Sequence, residues 1–107
     1  MAYDAQNTFD DNWEAWRNVM PGANHSIMVT GTCEFPTSGY VPLLRRAEPQ
    51  GINPNILELE LVVVEPLGPV LEIISHERAT YFEETDVEYD QVHIRPDGPT
   101  LNVQIAT

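Results

Sequence analysis

Between Ile56 and Val64 the apolar residues recur at every second position, and this rhythm limits the chain more than any other feature. Leu57, Leu59, Leu61 and Val63 share one face; Glu58 and Glu60 share the other until Val62 and Val64 replace them. Alternation of this kind belongs to a half-buried strand. The change at Val62 predicts a second half covered on both faces. Pro66-Leu67-Gly68-Pro69 follows, with a proline that presets φ and a glycine free to take a positive one. Strands over Ile56–Glu65 and Val70–Ser75 are therefore expected to form a hairpin around which the rest is organised.

The same period appears on either side. Over His25–Phe35, the residues Ile27, Val29, Gly31, Cys33 and Phe35 fall on one face, which is the apolar one. Gly31 in mid-strand predicts a bulge or a close backbone approach. Tyr40–Arg46 is a short strand whose Pro42 lacks a donor, which places it at a sheet edge. The turn-rich segment 48–55 is long enough to cross between sheets. From Ser75 the pattern runs on to Phe82, long enough that a bend near His76–Arg78 is expected. Tyr89–Arg95 and Thr100–Ala106 flank Pro96-Asp97-Gly98-Pro99 and read as a terminal hairpin.

The first twenty residues follow a different spacing. Phe9, Trp13, Trp16 and Met20 recur at intervals of three and four, as on one stripe of a helix. Thr8 or Asp10 suits the N-cap, and Pro21-Gly22 the end. About three turns do not hold alone, so this arm needs a docking surface on the domain or on a partner. The division is then an arm over 1–22 and a β-domain over 23–107. Six or seven strands with turn signals between them make the fold class all-β. The expected architecture is an antiparallel β-sandwich of immunoglobulin-like size, without the paired cysteines of immunoglobulins.

Composition narrows the partners. Seventeen acids face five arginines and no lysine among 107 residues, for a formal net charge of −12. Such a surface repels phosphate backbones and anionic lipid, so neither nucleic acid nor membrane is expected. Without lysine there is no Schiff-base chemistry and no Gly-Lys-Ser/Thr phosphate loop. Cys33 is the single cysteine, which points to a reducing, cytoplasmic setting. On the apolar face it reads as a small core residue. No apolar run approaches the ~20 residues of a spanning helix, and the N-terminus lacks a basic start and apolar stretch of a signal peptide.

No motif for catalysis or for a cofactor is present. Ser26, Ser38 and Ser75 lack a Gly-x-Ser-x-Gly context. His25, His76 and His93 show no helical metal spacing. The acids of 83–90 do not follow a calcium-loop pattern and read as a solvated run that guards a sheet edge. Arg45-Arg46 is the one basic pair and suits internal ion pairs or an anion. The function expected is a non-catalytic interaction module, associating with a protein partner or with itself. Phe9, Trp13, Trp16, Met20, Arg45 and Arg46 are its candidate contact residues. The alternative is metal or ligand binding through the histidines and the 83–90 acids.

Overall fold

The computed structural model describes residues 9, 10, 12–96 and 98–106. Thr8 at the expected helix start and Asp97 of the last turn lie outside them. Seven strands follow in chain order: β1 (Glu14–Asn18), β2 (Ser26–Phe35), β3 (Val41–Arg46), β4 (Ile56–Val64), β5 (Ser75–Glu84), β6 (Gln91–Arg95) and β7 (Thr100–Ala106). They form one mixed sheet in the order β3-β4-β6-β7-β1-β2-β5. The sheet curls until β3 and β5 lie side by side, so it is nearly closed as a barrel. Two of its pairs are parallel, β1 with β7 and β4 with β6, so the antiparallel sandwich is corrected to a mixed, nearly closed barrel. Alternation tells a strand which face to bury but says nothing of its neighbour's direction.

The inward faces are those the alternation marks. Ile27, Val29, Cys33, Phe35, Leu57, Leu59, Val92 and Ile94 are wholly buried. Burying each large aliphatic side chain contributes on the order of 1.5–3 kcal/mol. β3 is terminal in the sheet order and pairs only with β4, as Pro42 requires. β6 and β7 form the expected terminal hairpin, with Val92 opposite Leu101.

Five other expectations are corrected. There is no helix among the described residues of the arm: Glu14–Asn18 is β1, inserted between β2 and β7. A strand completes two ladders of backbone hydrogen bonds there, which a three-turn helix would leave unmade. Val70–Ser75 does not pair with β4; residues 65–74 form an irregular connection, because Pro66 and Pro69 cannot donate to a ladder. β5 does not bend near His76, since it pairs with β2 in unbroken register from Ser75 to Glu84. Segment 47–55 joins two hydrogen-bonded neighbours, β3 and β4, instead of crossing between sheets. The Gln50 side chain acts there as a strand partner. Its amide donates to the carbonyls of Ala47 and Glu58 at 2.7 Å each, and its oxygen accepts from Glu58 N–H at 2.9 Å. Val64 is exposed, so the end of β4 is not covered on both faces.

Candidate interaction surface

Strand alternation splits the aromatic stripe. Trp13 is buried, and its indole N–H donates to the Thr32 carbonyl at 2.9 Å. Its ring lies on Gly31, where a Cβ would stand 2.1 Å from a ring carbon. This is the close approach that a mid-strand glycine permits. Phe9 meets Trp13 edge-on, centroids 5.3 Å apart, and bridges Cys33. Burial pushes the Cys33 thiol up to about 12, with the Asp10 carboxylate adding to the effect. Trp16 points outward. In register it faces Met28, which faces Phe82, so an exposed apolar row crosses β1, β2 and β5. Met20, just past β1, is exposed.

The arginine pair is engaged within the molecule. Arg45 pairs with Glu60 across the β3–β4 ladder. Arg46 reaches Glu83 of β5 at 3.2 Å and the Tyr89 hydroxyl at 3.3 Å. Tyr81 also donates to Glu83. These side chains close the seam where β3 and β5 make no ladder. Burial, then the Glu83 hydrogen bond, pushes Tyr81 up to about 12, and the Tyr89 contact raises Arg46.

Each histidine has its own carboxylate partner. His25 lies 3.4 Å from Asp86. His93 lies 2.8 Å from Glu58, which also accepts from Arg95 at 2.7 and 3.2 Å. Arg95 first, then His93, pulls the Glu58 carboxyl down to about 2. Glu58 and His93 line an open cleft of about 400 Å³ with Ile52, Ile56, Gln91 and Thr100. His76 stands between Asp10 and Glu34, the one place among the described residues where three metal-ligating groups converge. Of the 83–90 acids, Glu83 and Asp86 are held by different partners, Arg46 and His25.

The most exposed apolar segment is one the sequence pattern assigned to a strand. In the β4–β5 connection Leu67 is 104% exposed, Leu71 66%, Ile73 58% and Ile74 65%. Val41, Leu43 and Val64 of the β3–β4 ladder are exposed as well. The connection is nonetheless anchored. Ser38 N–H donates to the Leu71 carbonyl at 3.0 Å, Leu71 N–H to Ser38 Oγ at 2.9 Å, and Ser75 Oγ to the Thr37 carbonyl at 2.8 Å. Gly39, at φ +93°, brings the 36–40 turn against Pro66, where a Cβ would come within 2.8 Å. The signal that could have marked this segment is Pro66-Leu67-Gly68-Pro69 itself: a turn that rich in proline breaks the ladder and leaves the aliphatics after it uncovered.

No helix among the described residues is long and apolar enough to cross a membrane. No family model matches the chain, and neither curated proteins nor solved structures hold a match to it.

Proposed function

We propose that this protein is a non-catalytic interaction module that associates through its β4–β5 connection, with a second copy as the occupant. One observation carries the reading: Leu67, Leu71, Ile73 and Ile74 project from a segment held to the 36–40 turn by one backbone hydrogen bond and one to the Ser38 hydroxyl. Apolar side chains clustered in solvent mark contact surfaces more often than scattered ones do. A pre-ordered segment also pays less entropy on binding than a loose one. Burying such side chains contributes about 1.5–3 kcal/mol each before the costs of association. Trp16, Met28 and Phe82 supply a second apolar row on the outer face. A reducing, cytoplasmic setting belongs to the same reading and rests on the buried, unpaired Cys33.

Sedimentation of the full chain at rising concentration and high salt tests this, beside a variant carrying Leu71→Ser, Ile73→Ser and Ile74→Ser. The expected result is a mass that climbs with concentration in the parent and stays at one copy in the variant, with both chains folded. A parent chain that remains a monomer up to its solubility limit rejects the reading.

A further inference from the structure

The outer face of β2 carries a place where three distant segments meet. Asp10 lies in the segment before β1, Glu34 is on β2 and His76 is on β5. Glu34 and His76 are direct cross-strand partners. Asp10 is brought to β2 from the other side, its N–H donating to the Thr32 carbonyl at 3.2 Å. The Asp10 carboxylate therefore reaches over β2 toward β5. Its Oδ2 accepts from the Thr32 hydroxyl at 2.8 Å and lies 3.3 Å from His76 Nδ1. His76 Nε2 lies 3.8 Å from Glu34 Oε1. One ligand atom from each of the three falls within 4.8 Å of the others.

We propose that Asp10, Glu34 and His76 form a binding site for a divalent first-row transition cation, zinc in the first instance, that fastens the segment before β1 to β2 and β5. Ligand atoms at ~2.0–2.2 Å from a zinc ion stand about 3.0–3.5 Å from one another. The Asp10–His76 pair already has that separation at Nδ1, whereas Glu34 lies nearest Nε2. One ring nitrogen serves one ion, so a carboxylate must swing to the nitrogen that the other faces, the three ligand atoms lying within 4.8 Å of one another. An imidazole with two carboxylates suits zinc or manganese better than calcium or magnesium, which take oxygen alone. Zinc stands above manganese in affinity for such a set. Thr32 orients the Asp10 carboxylate, the kind of outer hydrogen bond that ligating carboxylates use. No arginine neutralises the two acids: Arg78, opposite Thr32 in the register, forms no ion pair with either among the described residues. This cluster is separate from the apolar β4–β5 connection and from its association.

Calorimetric titration of the full, metal-free chain with zinc chloride tests it, beside Trp13 fluorescence, since Trp13 hydrogen-bonds the same Thr32 backbone. The parent chain is expected to take up one equivalent, with a fluorescence change at the same midpoint. His76→Ala and Asp10→Asn should each weaken uptake at least tenfold. Thr32→Val should weaken it ~10-fold as an outer-partner change does. His25→Ala and His93→Ala should leave it unaltered. Glu34→Gln, at an exposed position, keeps the test valid if another variant fails to fold. No uptake by the parent overturns the proposal, as does uptake undiminished in His76→Ala or Glu34→Gln. Calcium binding as tight as zinc overturns the assignment to a transition cation.

Discussion

At the scale of single residues, Glu58 shows how one carboxylate can tie two parallel strands together. It sits on β4, opposite His93 of the parallel strand β6, and takes two hydrogen bonds from Arg95. These partners hold its carboxyl at about 2 in the folded chain, against an ordinary value of 4.5. The ionised form is thus favoured by folding. Its contribution is present in full above pH 4.5 and is lost as the pH falls toward 2. The Arg95 head is in contact with solvent, so screening keeps the contribution near that of a good surface pair, on the order of 1 kcal/mol. Thermal melts of the parent and of Glu58→Gln, taken in steps from pH 7 to pH 2, should converge: the variant melts lower at neutral pH and loses less on acidification. Parallel curves would show that Glu58 carries no such coupling.

At the scale of elements, the Trp13 segment fits closely against β2. Gly31 leaves a gap that the Trp13 ring fills, with Phe9 stacked edge-on beyond it. A methyl group there would sit inside the ring, and neither β2 in mid-ladder nor a buried indole can yield cheaply. Gly31→Ala should therefore destabilise by about 1–3 kcal/mol, read as a lower urea midpoint. A midpoint equal to the parent's would mean that Trp13 swings away at no cost. The joint also shows what was legible. Gly31 in mid-strand announced a close approach, and alternation gave the buried face of β2 residue by residue and that of β4 as far as Leu61. Pro42 correctly marked β3 as terminal. The nature of the arm was not legible, because Phe9, Trp13, Trp16 and Met20 fit a helical stripe equally well. Only the vacant position between β2 and β7 decides for a strand, and it exists only once the sheet is assembled. The Asp10–Glu34–His76 cluster was hidden for the same reason: it depends on register between segments far apart in sequence.

At the scale of the whole molecule, charge works against compaction. The formal net charge is −12, and three arginines are already committed to single carboxylate partners, Glu60, Glu83 and Glu58. Most of the remaining acids have no arginine partner among the described residues, and they repel one another. Two effects of salt then oppose each other. Screening weakens the arginine pairs, each partly exposed and worth about 1 kcal/mol or less, and it weakens the repulsion among the larger number of unpaired acids. With seventeen acids to five arginines, the second effect outweighs the first. Sodium chloride is the appropriate probe, because sulfate or phosphate would strengthen apolar burial on its own account. Between low salt and ~0.5 M, where the Debye length falls well below 10 Å, the melting temperature should rise at a protein concentration low enough to keep the chain monomeric. The arginine-pair variant Arg45→Gln should rise by a larger amount than the parent, since it has one fewer attraction to lose. A melting temperature that falls with added chloride would mean that the arginine pairs, and above all the Arg46–Glu83 seam between β3 and β5, hold the barrel closed against a repulsion smaller than the net charge implies.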